Sequence, residues 1–351
     1  MFHFFVDLFL AGIGSLLLIG LLIGGVAWHV VETLIKPKKT KSAAHESLSP
    51  FELGLPVENV TFASRHGRHL VSGWYLSVPG ATATIIVSPG YRTRKNRVLA
   101  VVHVLWRAGY NVLAFEYYGH GATGGVPVTL GYREREDFLG ALAYAHKRAP
   151  ESHLGVLAYS MGAAIALLCS VDHPEIEAIV ADSSFATHAS AVRYQLRRTL
   201  HLPVAPFLWA SDHLLHLRAG YRFCQVEPLR AIARLAPRPI LLIHGERDTM
   251  VDPHDATLLY RAANEPKQLW MVPQAEHCGA YFEDRGAYIS RLVAFFAQHL
   301  KGASNAHAAA ERVEPSNQPG VSTEPLAVPL PSFSGQAVSS SEFRQVEQAS
   351  G

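Results

Sequence analysis

Cysteine is scarce in this chain: its 351 residues hold three, Cys169, Cys224 and Cys278. They show no paired spacing, which argues against a disulfide framework or a thiolate zinc site and leaves reduced thiols as the expected state. Charge is sparse too. Asp, Glu, Lys and Arg make up 17% of the residues and leave a net charge of +2, so there is no electrostatic case for nucleic-acid binding. The histidines are scattered, with no His-x-x-x-His pair beside a glutamate of the kind a zinc helix needs. No metal or organic cofactor is expected.

From Leu8 to Val31 charge is missing altogether. At about 1.5 Å per residue, a helix of that length crosses the roughly 30 Å hydrocarbon core of a bilayer. A cleaved signal peptide fits less well. No Lys or Arg precedes the run, the run is too long, and no small-x-small site follows it. Residues 1–35 are expected to be a transmembrane anchor. Lys36, Lys38, Lys39 and Lys41 follow it, which predicts that the rest of the chain stays on the cytoplasmic side.

Residues 36–50 read as a polar linker. From Phe51 to Lys301 apolar strands alternate with helical patterns, which predicts an α/β fold with a mostly parallel sheet covered on both faces. An opening hairpin, Val60–Ser64 and Leu70–Leu76, is expected at one edge. Residues 187–237 interrupt the alternation with helical patterns and apolar stretches, and are expected to be a helical lid. After Gly302 the composition turns to Ser, Pro, Gln, Ala and Glu, which predicts a disordered tail over 302–351.

The chemistry begins at Gly155-Val-Leu-Ala-Tyr-Ser-Met-Gly-Ala-Ala164. An apolar strand ends at Ser160 and a helix follows. A strand-to-helix turn this tight strains the residue at its apex and exposes its hydroxyl, with small flanking residues to avoid clashes. A serine hydroxyl needs a base, usually a histidine oriented by a carboxylate. Two later strand ends offer these groups. One carries Asp248, with Glu246 and Asp252 as rivals. The other carries His277, with His244 and His254 as competitors elsewhere. Such loops, just past the carboxyl ends of strands, are where open α/β sheets form their sites. Asp182 ends another strand nearby, as a reserve acid or a turn cap.

Together these segments resemble the α/β-hydrolase fold superfamily, in the branch of serine aminopeptidases and prolyl-oligopeptidase-like esterases. The resemblance covers about Phe51 to Lys301. It rests on Ala158-Tyr-Ser-Met-Gly162, His244-Gly-Glu-Arg-Asp248, Glu276-His-Cys-Gly279 and Phe115-Glu-Tyr-Tyr-Gly-His-Gly121. It implies Ser160 as nucleophile, His277 as base and then acid, and Asp248 as the orienting acid. It implies the backbone N–H groups of Met161 and Tyr91 as the oxyanion hole, with Gly90 allowing close approach. The chain departs from the family pattern at Ala158, Glu116, Tyr118 and Ser88.

The expected function is a membrane-anchored serine hydrolase acting on an ester or thioester, with a small-molecule or lipid-like substrate and membrane lipid around its anchor. A serine-aminopeptidase-like peptidase is the alternative enzyme. A non-catalytic membrane-tethered scaffold is the alternative outside enzymes. Arg92, Arg94, Lys95 and Arg97 are expected to be a solvated helix start, with contact to an acidic substrate group as the functional option.

Overall fold

A computed structural model describes residues 1–36, 49–125 and 127–300. Lys38, Lys39 and Lys41, most of the linker and the tail 302–351 lie outside the described residues. The first helix, α1, is Phe2–Ile35, and its length and composition suffice to cross a membrane. Phe2 to Leu22 is almost wholly exposed. That stretch is about 31 Å long at the helical rise. The later turns behave differently, because Ala27, Val31 and Ile35 are buried.

The last three carbonyls of α1 lie beyond the helix's own N–H groups. Other parts of the chain supply donors. The Tyr91 hydroxyl donates to the carbonyl oxygen of Thr33 at 2.7 Å and lies 3.1 Å from that of Leu34. The Val128 N–H donates to the Ile35 oxygen at 3.0 Å.

The strands are β1 (Glu58–Ala63), β2 (Leu70–Leu76), β3 (Ala83–Ser88), β4 (Asn111–Phe115), β5 (His153–Tyr159), β6 (Ile176–Asp182), β7 (Ile240–Gly245) and β8 (Lys267–Val272). They form one sheet in the order β1-β2-β4-β3-β5-β6-β7-β8. The expected hairpin is there: β1 pairs antiparallel with β2, and β2 with β4. All later pairings are parallel. Strands β3, β4 and β7 are buried along their whole length, as strands covered on both faces must be. On β1, at the edge, buried and exposed residues alternate over its second half.

The helices between strands are α2 (Leu99–Arg107), α3 (Arg135–Arg148) and α4 (Met161–Cys169). Later come α8 (Pro253–Ala262), α9 (Ala280–Glu283) and α10 (Arg285–His299). Two apolar layers cover the sheet. One joins α3, α4 and α8 through Phe138, Leu142, Ile165 and Leu259. The other joins α2 and α10 through Leu99, Val102, Leu292 and Phe296.

Residues 187–237 hold α5 (His188–Thr199), α6 (Ala205–Ala219) and α7 (Pro228–Ala231). A reciprocal pair starts α5: Thr187 and Ser190 each accept the other's backbone N–H on their side-chain oxygens. Helix α6 packs along α1. There Arg218 pairs with Glu32 and its guanidinium lies 4.5 Å from the Trp28 ring centroid. Trp209, Leu217 and Leu202 of this insertion stay exposed.

Candidate active site

Register brings the ends of the central parallel strands level. Ser88 of β3 pairs with Ala158 of β5, Tyr159 with Asp182 of β6, and Asp182 with Ile243 of β7. The loops that follow open on one edge of the sheet. Ser160 is the turn between β5 and α4, with φ 50° and ψ −117°. A non-glycine residue here is strained, of order 1–3 kcal/mol. Its N–H is tied to the Asp182 carbonyl oxygen at 2.8 Å, and its own carbonyl accepts from Ala164 N–H at 3.1 Å.

The turn is possible because of what stands around it. A Cβ on Gly162 would lie 2.4 Å from the Pro89 carbonyl oxygen and 2.7 Å from that of Ser88. A Cβ on Gly90 would sit 3.3 Å from the Ser160 Cβ. The loop after β3 therefore lies directly against the serine turn. Among the described residues, the N–H groups of Tyr91 and Met161 find no acceptor.

Ser160, His277 and Asp248 meet in one hydrogen-bonded chain. His277 Nε2 is 2.9 Å from Ser160 Oγ, and His277 Nδ1 is 2.6 Å from Asp248 Oδ2. An ionised carboxylate only accepts, so Nδ1–H donates to Asp248 and Nε2 is left to accept the Ser160 hydroxyl proton. Asp248 is held from its other side by the N–H groups of Met250 (2.7 Å) and Val251 (2.9 Å) on Oδ1. Burial alone would raise its pKa. The His244 ring close by and the bond from His277 outweigh that and hold it well below the usual carboxylate range.

The rivals do other work. Asp252 caps α8 by accepting His254 N–H at 3.0 Å. His244 is buried, with Nε2 3.1 Å from Asp248 Oδ2 but poorly aligned for a hydrogen bond. The sequence offers it only as a competitor to His277, without the contact it makes on the same carboxylate. Its place one residue before the end of β7, four before Asp248, was the available signal. Among the described residues, the Asp182 carboxylate makes no hydrogen bond to His277 and accepts none from a backbone N–H. Burial raises its pKa to about 6, and Ser183 Oγ and Tyr288 Oη both donate to its carboxylate. Cys278 is no nucleophile in waiting. Burial pushes its thiol well above its ordinary pKa, and its N–H donates to Ser183 Oγ at 3.0 Å.

The expected solvated cluster needs correcting at Lys95. Its Nζ is buried, 3.1 Å from Glu116 Oε2 and 3.1 Å from Ser72 Oγ. Glu116 also accepts the N–H of Lys95 and of Ala122. The family departure at Glu116 thus has its own use: this carboxylate gathers the loop after β3 and the loop after β4 around one buried ion pair.

Residues 79–212 match the family model described as serine aminopeptidase, S33. The chain is 29% identical over 290 residues to the uncharacterized protein YqkD of Bacillus subtilis, covering 80% of this chain and 93% of that one. It is 27% identical over 253 residues to YfhR of Escherichia coli K12, covering 69% and 81%. Among solved structures, the esterase Pf2001 of Pyrococcus furiosus superposes with a TM-score of 0.60 at 25% identity, over 72% of this chain and 96% of that one. The chain belongs to the α/β-hydrolase superfamily. It is a hydrolase of the esterase and peptidase type. The acylaminoacyl peptidase of Pyrococcus horikoshii shares this α/β-hydrolase fold at 14% identity, with a TM-score of 0.52 over 70% of this chain and 42% of that one.

In this α/β-hydrolase the insertion touches the site directly. Tyr194 of α5 donates to the Asp248 carbonyl oxygen at 2.9 Å. Gln195 Nε2 bonds the carbonyls of Thr249 (2.8 Å) and Met250 (2.7 Å).

Proposed function

We propose that this protein is a membrane-anchored serine hydrolase that cleaves a carboxylic ester or thioester of lipid-like character. The observation that carries the reading is the chain Ser160–His277–Asp248, set beside two unclaimed amides. Ser160 Oγ attacks the substrate carbonyl carbon as His277 Nε2 takes its proton. Asp248 stabilises the imidazolium and holds its tautomer. The amides of Met161 and Tyr91 receive the oxyanion, a contribution of roughly 3 kcal/mol each. His277 then protonates the leaving alcohol or thiol. Water attacks the acyl-serine with His277 again as base, which releases the acid and restores Ser160.

The anchor reading is supported by the uncharged run Leu8–Val31 and by α1's exposed first six turns. In this reading residues 1–35 are the anchor, 36–50 the linker, 51–301 the hydrolase domain and 187–237 its lid. The lysines after Ile35 favour a cytoplasmic catalytic domain. A reporter fused after Lys41 tests the side, and signal only on the exported side overturns it. Lipid-like substrates are favoured by exposed Trp209, Leu217 and Leu202 on the insertion that flanks α1. The family model favours a peptidase as the second reading.

Labelling with a fluorophosphonate probe tests the chemistry. The folded full-length chain should label, and Ser160→Ala should not. A folded wild-type chain without label points to the scaffold alternative. A panel of p-nitrophenyl esters of rising chain length, run beside an aminopeptidase substrate, separates the two enzyme readings.

A further inference from the structure

Tyr91 carries two groups with different duties. Its amide is the oxyanion donor in the function proposed above, on which this inference rests. Its hydroxyl closes the end of α1, at 2.7 Å from the Thr33 oxygen and 3.1 Å from the Leu34 oxygen. The acceptors are main-chain carbonyls of the helix's last turn, where the macrodipole is negative and a donor is favoured. Burial raises the phenol pKa to about 12, so the hydroxyl keeps its proton to donate. His120 packs edge-on against the same ring, with centroids 5.8 Å apart. The following residue, Arg92, has φ 60°. A strained residue persists where its surroundings hold it, and the Tyr91 bond to α1 is one of the contacts that hold this loop.

The rest of α1's end is fastened as well. Val128 N–H holds the Ile35 oxygen, and Arg218 holds Glu32 and covers Trp28. The helix is therefore not a loose tether ending where the domain begins.

We propose that the carboxyl end of α1 is a positioning element of the hydrolytic centre: through the Tyr91 hydroxyl it sets where the Tyr91 amide stands relative to Ser160. Membrane anchoring and turnover are coupled in this arrangement. A change in how α1 sits, from bilayer thickness or tilt, reaches the oxyanion site through one side chain.

Tyr91→Phe tests this, because it keeps the ring and the amide and removes only the hydroxyl. An angstrom-scale misplacement at a reacting centre can cost about 100-fold in rate. A loosened donor, still present, is expected to lower kcat about tenfold with KM unchanged. Affinity for a trifluoromethyl ketone, whose adduct carries the oxyanion, should fall in parallel. The second variant, Arg218→Ala, loosens α1 from outside the site and should shift kcat the same way by a smaller factor. Thermal melting checks folding in both, on the full chain in nanodiscs. Two folded variants with wild-type kcat and ketone affinity overturn the inference while the hydrolase reading stands. A folded wild-type chain that does not label at Ser160 overturns both.

Discussion

Gly162→Ala separates two opposed effects that differ in size and sign. Alanine in the first turn of α4 gains helix propensity, about 1 kcal/mol over glycine. Its Cβ would, however, meet the Pro89 oxygen at 2.4 Å, Ser88 Oγ at 2.6 Å and the Ser88 oxygen at 2.7 Å. Two of these are main-chain atoms and cannot rotate aside. Restoring ordinary contact near 3.5 Å requires about 1 Å of separation between α4 and the loop after β3. Overpacking of this kind costs about 1–3 kcal/mol, which outweighs the propensity gain in most of that range. The loop that must move carries Tyr91, and the helix that must move carries Met161. A shift of about 1 Å between the two proposed oxyanion donors is expected to lower kcat by about 100-fold. Melting should fall by a few degrees, since about 1 kcal/mol corresponds to roughly 2–4 °C in a domain of this size. The assay pairs a thermal melt with ester hydrolysis under saturating substrate. A variant that melts at or above wild type and keeps kcat within twofold refutes the reasoning.

Asp248→Asn should reduce kcat by about 10⁴-fold with little change in KM, because the amide can donate to Nδ1 and leave His277 in the wrong tautomer; steady-state kinetics decide it, and near-wild-type turnover would point to another acid. His188, fully buried, has its pKa pushed down to about 3 by desolvation. Its stabilising contribution is therefore complete above the unfolded value near 6.5 and is lost as pH falls toward 3, about 2 kcal/mol between pH 7 and pH 5. His188→Leu should flatten that acid limb in denaturant titrations at the two pH values, and parallel curves for variant and wild type would count against it.

The sheet was legible wherever an apolar run had marked ends. The end of β5 was legible because a turn serine, Ser160, follows its last residue, Tyr159. Helix α2 begins only at Leu99, after a tight turn over Lys95–Val98. The meeting of Ser160, Asp248 and His277 was legible because each follows a strand of the same sheet. Lys95 was not, since its partner Glu116 lies 21 positions on, across a turn of the fold. Hydropathy marked α1 but not where it stops being free, because docked and exposed apolar residues read alike. The bond from Tyr91 to α1 left no trace for a different reason: its acceptors are main-chain carbonyls, which every residue has.

The same property governs how the insertion holds the acid loop. Tyr194 and Gln195 grip the carbonyls of Asp248, Thr249 and Met250, not their side chains. The grip is blind to what Thr249 and Met250 are, so those positions are free to drift, while Tyr194 and Gln195 are not. An insertion transplanted from a relative would need to bring that pair of donors at the same helical position. One lacking them would leave the catalytic segments intact in sequence and the aspartate's loop unsupported.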